Sequence, residues 1–313
     1  MNPNVKIDII YEDKDYVAVN KPSGLVVHAD GKPAKVSEGV DGETVTVAQE
    51  PVLTDWISKH FPETEGVGEP IVMTNGVFIH RPGIVHRLDK GTSVVIVIAK
   101  NQKAHAHLKE QFQARSVSKK YYAFVYGEFE DKYGSINRPI GRSKKDFRKY
   151  SAQRGARGEM RPAETWYTVV ATRGGLDDGT GRRSGSGYSF VEVEPKTGRT
   201  HQIRVHFKAV NHPIVCDSLY APERQCALGF GRPALHSYSI EFIKMDGKPV
   251  KIVAPLPADF MAACKDLAID APTAPVVIDM KSTGVGPKTS SHKVKSAVSA
   301  AKKPKAGRKV AKN

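Results

Sequence analysis

The stretch HRLDKGTSVVIVIAK, residues 86–100, places Arg87 and Asp89 two positions apart, directly before an unbroken apolar run from Val94 to Ala99. Such a run reads as a strand buried on both faces. If residues 86–89 are extended, Arg87 and Asp89 point to one face and His86 and Leu88 to the other, because strand side chains alternate. An opposite charge within a few ångströms lowers a carboxylate pKa by roughly 1–3 units. The spacing therefore describes either a structural ion pair at a strand end or a fixed anion beside a cavity.

Two further stretches carry cations. GRSKKDFRKYSAQRGARGEMR, residues 141–161, holds eight Lys or Arg against Asp146 and Glu159, with Phe147 and Tyr150 interleaved. Arg142, Lys144, Lys145 and Arg148 suit phosphates and the aromatic rings suit bases, although a solvated basic hairpin would read the same way. TGRTHQIRVH, residues 197–206, adds Arg199 and Arg204 at a turn and a helix start, a suitable place for anions. Other chemistries find less support. His105 and His107 lie two apart on a helix and point about 200° from each other, so they cannot share a metal ion. No GxSxG elbow and no phosphate-binding Gly loop ending in Lys-Ser/Thr occurs.

These residues must be positioned by a chain of 313 residues, enough to bury a substantial core. The formal charge is +15, and residues 281–313 alone carry ten Lys or Arg and no acidic residue. That tail lacks aromatic residues and is expected to be disordered and to bind polyanions. Cys216, Cys226 and Cys264 are odd in number and form no CxxC pair, which argues against a disulfide framework and fits a reducing compartment. No apolar run approaches the length of a membrane span and the first residues lack a signal-peptide pattern, so a soluble cytoplasmic protein is expected.

Strands are expected around Tyr16–Val19, Leu25–His28 after a Pro-Ser-Gly turn, Val94–Ala99, from Ser118, at Glu164–Ala171, Tyr188–Val193, Ser237–Ile243 and Val250–Val253. Helices are expected near Trp56, capped by Thr54 or Asp55, from the N-cap Asn101 through Ala104, Leu108 and Phe112, over HQIRVHFKA, and after APLPADF. Strands often follow one another without intervening helices. The expectation is an α+β fold with a mixed, mainly antiparallel sheet flanked by helices and loops.

In this order, NKPSGLVVH, IVHRLDKGTS, SKKYYAFVYG, TGRTHQIRVHF, HPIVCDSLY and LHS closely resemble the RluA-type RNA pseudouridine synthases, over roughly Tyr11 to Phe260. The resemblance implies a pseudouridine synthase fold, a catalytic domain over 1–275 with an extended insertion at 29–83, and a disordered basic tail over 276–313. It implies isomerisation of uridine in ribosomal or transfer RNA by a monomer needing neither cofactor nor metal. Asp89 matches the catalytic aspartate, Tyr121 the active-site tyrosine, Arg204 the arginine that pairs with the aspartate, and Arg87 the residue that holds the target base out of its stack. On this reading the partner of Asp89 is Arg204 rather than Arg87. A catalytically idle RNA-binding or ribosome-assembly protein on the same fold is the alternative, which intact Asp89, Tyr121 and Arg204 disfavour. Three departures stand out: Val94 where the family usually has Gly, no small basic domain ahead of the catalytic one, and a longer, partly acidic stretch between VVH and HRLD.

Overall fold

The apolar run after Asp89 is a strand, Ser93–Ala99, buried at every residue. In the computed structural model it belongs to a ten-stranded sheet of β1 (Asp8–Glu12), β2 (Tyr16–Lys21), β3 (Ser93–Ala99), β4 (Ser118–Tyr126), β5 (Tyr133–Asn137), β6 (Glu164–Arg173), β7 (Tyr188–Pro195), β8 (Leu235–Ile243), β9 (Pro249–Val253) and β10 (Val277–Asp279). The order is β1-β2-β3-β8-β4-β7-β6-β5, with β9 on β8 and β10 on β9. The structure describes residues 6–28, 36–38, 44–46 and 52–279, apart from 73–75, 77, 87–88, 154–155, 175, 178–182, 185–186 and 274. The basic tail 281–313 and Arg87 therefore lie outside the described residues.

Alternation along β3 explains why it has no polar break. Val94, Ile96 and Ile98 pack with Leu25 and with Leu53, Trp56 and Ile57 of α1 (Leu53–His60). Val95, Val97 and Ala99 pack on the opposite face with Ala104 and Leu108 of α2 (Gln102–Ala114) and with Ile240 and Phe242 of β8. Each Val, Leu, Ile or Phe among them contributes about 1.5–3 kcal/mol when fully buried. The α2 start follows the sequence, since Asn101 Oδ1 accepts from the Ala104 amide at 2.9 Å.

One pairing decides where the site forms. β3 and β8 run parallel, with His236 opposite Ser93 and Ser237 opposite Val94, while the other strand pairs of the sheet are antiparallel. Ser237 also faces Tyr121 of β4, which faces Val193 of β7. A row Val94, Ser237, Tyr121, Val193 thus crosses the four central strands. The segments entering β3 and leaving β7 meet above it.

Several expectations need correction. Leu25–His28 is not a strand: Val26 makes a single bridge to Val52, and the carbonyls of Val26 and Val27 accept the amides of Leu53 and Thr54 at 2.8 and 3.0 Å. The segment satisfies the otherwise unpaired first amides of α1, so the helix begins at Leu53 without a side-chain cap from Thr54 or Asp55. Within the 29–83 stretch, α1 is the helix expected near Trp56, and it contributes Leu53, Trp56 and Ile57 to the core. β10 pairs with β9 through Asp279, carrying the sheet past the expected boundary at 275. Cys216 and Cys226 are bonded to each other; a ten-residue loop brings together what no CxxC spacing announces. No helix among the described residues is long and apolar enough to cross a membrane.

Candidate active site

Asp89 opens a turn into β3 that is fastened from behind. Its carbonyl accepts the Thr92 amide at 3.1 Å, the Gly24 amide donates to Lys90 O at 2.9 Å, and Ser23 Oγ donates to Gly91 O at 2.9 Å. The Pro-Ser-Gly turn needs Gly24 at φ 90°, a conformation that disfavours any residue with a Cβ. Beneath it Lys21 is fully buried, donating Nζ to Pro22 O at 2.8 Å and Leu25 O at 2.9 Å. Burial, with Arg232 nearby, brings its ammonium down to about 8, against the opposing pull of Asp89.

The partner of Asp89 is Arg204, whose Nη1 lies 3.0 Å from Asp89 Oδ2. Arg204 sits on α3 (Gln202–Ala209), a helix buried nearly all round. Asp217, fully buried at its side chain, takes the rest of the guanidinium: Nε donates to Oδ2 at 2.7 Å and Nη2 to Oδ1 at 2.8 Å. Asp217 Oδ1 also accepts the amides of Leu219 and Tyr220 at 3.1 and 3.0 Å. Burial works against the charge on Arg204, but Asp217 and then Asp89 prevail and hold its pKa above the ordinary arginine value. The helix itself is fixed by Gln202, which donates to Glu164 O and Thr165 Oγ1 at 2.9 and 3.0 Å, and by His206, which bridges Thr165 Oγ1 and Arg138 O at 2.9 Å each.

The other oxygen of Asp89 faces His201, with Nε2 3.7 Å from Oδ1. His201 occupies the left-handed region at φ 56°, and its Nδ1 lies 2.8 Å from the Tyr220 hydroxyl. That hydroxyl accepts the Tyr150 amide at 3.0 Å. Arg204 also lies over the Tyr220 ring, 5.0 Å from its centroid.

Tyr121 and Asp89 line one cleft of about 590 Å³, together with Arg199, His201 and Arg204. Burial, with Asp89 nearby, pushes the Tyr121 hydroxyl up to about 12 against the opposing hydrogen bond with Ser237, so it is a neutral phenol at physiological pH. Arg199 donates Nε to Pro162 O at 3.1 Å at the cleft wall. The basic strip forms a separate three-stranded sheet, Ile140–Ser143, Tyr150–Ser151 and Ala156–Arg161. Its turn exposes Lys144, Lys145 and Phe147, the last 74% exposed. Arg142 lies over the Tyr150 ring at 5.1 Å, and Arg148 pairs with Asp146 at 2.9 Å. Tyr150 joins strip to site through its amide on Tyr220 and its ring edge on His201, 5.9 Å away. Sequence reasoning gave no role to Asp217, Tyr220 or His201; the one signal was the Asp and Tyr of CDSLY.

Residues 15–209 match the family model described as RNA pseudouridylate synthase. An RNA pseudouridine synthase of Mycobacterium bovis is 36% identical over 262 residues, covering 83% of this chain and 72% of the relative. One from Synechocystis is 32% identical over 259 residues, covering 82% and 68%. The ribosomal large subunit pseudouridine synthase D of Zymomonas mobilis is 31% identical over 273 residues, covering 85% and 74%. Among solved structures, human RNA pseudouridylate synthase domain containing 4 shares the fold at a TM-score of 0.58 and 23% identity, covering 85% of this chain and 94% of that one. The family match and these relatives show that the chain belongs to the RNA pseudouridine synthases, enzymes that isomerise uridine to pseudouridine in RNA.

Proposed function

We propose that Asp89 is the reacting carboxylate of this isomerase, that Arg204 and Tyr121 complete its site, and that its substrate is ribosomal RNA in the cytoplasm. The observation that carries the site assignment is the division of Arg204: a buried aspartate fixes two of its nitrogens and leaves the third for Asp89. Ribosomal RNA is favoured by the relative named as a ribosomal large subunit enzyme. Pseudouridine formation breaks the bond from C1′ to N1, turns the base over and joins C1′ to C5; the C5 hydrogen leaves as a proton and N1 gains one. No electrons are exchanged with another reactant. The chemistry needs an ionised carboxylate in fixed geometry, a pocket that retains the detached base, and a route for one proton.

Arg204 supplies the fixed geometry by pairing with Oδ2 of Asp89 and aiming it, while Oδ1 faces His201. The Tyr121 ring forms a wall for the base, and its phenol is a donor rather than a ready base until substrate binding alters its surroundings. The uridine reaches Asp89 by flipping out of its stack, at a cost of a few kcal/mol that is smallest in loops. Phe147, Lys144 and Lys145, with Arg142, Arg148 and Arg199, are the surface over which the flanking strand runs. Asp89→Asn keeps the shape and removes the charge. It is expected to abolish release of tritium from C5-labelled uridine in total RNA of cells lacking the protein, with RNA affinity changed only a few-fold, because phosphate contacts dominate binding. A variant that still released tritium would remove Asp89 from the mechanism.

A further inference from the structure

Two adjacent lysines on β4 meet opposite fates. Lys120 is paired, 2.7 Å from Glu192 and 3.6 Å from Glu194. Lys119 points to the other face, the face of Tyr121, because strand side chains alternate, and it lines the same cleft as Asp89. There its ammonium lies 5.7 Å from the Phe112 ring, and Phe112 is itself stacked on His86. Among the described residues no carboxylate pairs with Lys119. Burial and the neighbouring Lys196 hold its pKa below the usual lysine range, and His86, brought down to about 4 mainly by burial, adds no charge beside it.

A second cation lines the same cleft. Arg115 ends α2 in the left-handed region at φ 59°, where glycine would be favoured, and it too lines the cleft with no carboxylate partner among the described residues. A strained backbone kept at a cleft wall points to a use for the side chain placed there. Lys119 lies two strand positions from Tyr121, roughly 6.6 Å along β4, comparable to the reach from a nucleobase to its own backbone phosphate.

We propose that Lys119 and Arg115 form a phosphate subsite in this cleft, taking a backbone phosphodiester of the RNA at or next to the flipped uridine. The subsite leaves its anion to be supplied by the substrate, so it selects RNA already carrying its uridine in the cleft. It is distinct from the basic strip, whose cations meet the strand outside. The proposal rests on the reading of this cleft as the one that receives the target uridine.

The test compares Lys119→Met, Lys119→Arg and Arg115→Met with wild type on C5-tritiated total RNA from cells lacking the protein, with thermal unfolding measured alongside. Lys119→Met is expected to raise KM about tenfold, with kcat within about threefold and an unchanged or higher Tm, because it removes a half-buried charge that no carboxylate pairs with among the described residues. Its log KM against log salt slope is expected to be shallower by about 0.7, one phosphate contact on a single strand. Lys119→Arg is expected to recover most of the loss, and Arg115→Met to raise KM more modestly. An unchanged KM and slope for Lys119→Met would overturn the proposal, as would a lower Tm with kcat and KM failing together, the mark of a merely structural lysine. Failure of the Asp89 reading shows separately, as tritium release by Asp89→Asn, and leaves the Lys119 comparison standing because KM is read with Asp89 intact.

Discussion

Arg204 serves two carboxylates with unequal claims: Asp217, with no exposed side-chain surface, takes Nε and Nη2, while Asp89, 24% exposed, takes Nη1 alone. The inequality keeps the guanidinium still when substrate competes for Asp89. Arg204→Lys retains the charge but not the planar fork, so one ammonium cannot satisfy both partners. It is expected to lower kcat about 100-fold, the scale of a 1 Å misplacement, with a smaller change in KM, as read by tritium release. Asp217→Asn is expected to act in the same direction and to destabilise the fold by about 3–5 kcal/mol, because a buried cation loses its closest partner; chemical denaturation would measure it. At this scale the sequence was informative through motif rather than spacing. Arg87 and Asp89 suggested a pair by alternation, and only the resemblance of HQIRVH moved the partner to Arg204. Asp217 stayed hidden, because an aspartate on a loop thirteen residues beyond its partner leaves no periodic mark.

Secondary structure was legible where one element obeys one rule. β3 announced itself by six consecutive apolar residues, and α2 by Asn101 followed by Ala104 and Leu108. It was illegible where an element is defined by what it touches: Leu25–His28 has the composition of a strand, but its carbonyls are taken by the first turn of α1, and the polar edge strand β5, YGSIN, has no apolar alternation. The departure at Val94 belongs to this scale. Val94 is fully buried, packs with Leu25 and Leu53, and heads the row that runs through Ser237 to Tyr121. Its side chain fills the core behind the site rather than the cleft, so it is a packing residue. Val94→Gly is expected to cost on the order of 3 kcal/mol, through lost burial and added backbone entropy, with kcat within a few-fold at a temperature well below Tm. A large rise in kcat would show instead that Val94 restrains the catalytic turn.

The molecule as a whole is held at a seam. Three apolar clusters share the sheet: one on β4, β6 and β7, and one on each face of β2 and β3. They meet where β3 runs parallel to β8, and His236 is buried at that junction with no exposed surface. Its Nε2 faces Ala254 O at 3.3 Å and its Nδ1 faces Ser93 Oγ at 2.9 Å. A carbonyl only accepts, so Nε2 carries the proton and Ser93 donates to Nδ1, which satisfies a neutral imidazole completely. Burial, with Arg232 nearby, brings His236 down to about 4 from an ordinary 6.5, against Ala254, Ser93 and Asp259. The unfolded chain therefore binds this proton first as pH falls. Stability from the site is full above pH 6.5, declines between 6.5 and 4, and is gone below, a loss of up to about 3 kcal/mol at roughly 1.4 kcal/mol per pH unit. His86, brought to about 4 mainly by burial, works in the same direction and window. The wild-type protein is expected to lose Tm steeply from pH 6.5 to pH 4, and His236→Gln, less stable at pH 7, to show a distinctly shallower fall with the His86 share remaining. Parallel Tm curves for the two proteins across that window would mean that the seam does not exclude the proton, and that acid sensitivity arises elsewhere in the sheet.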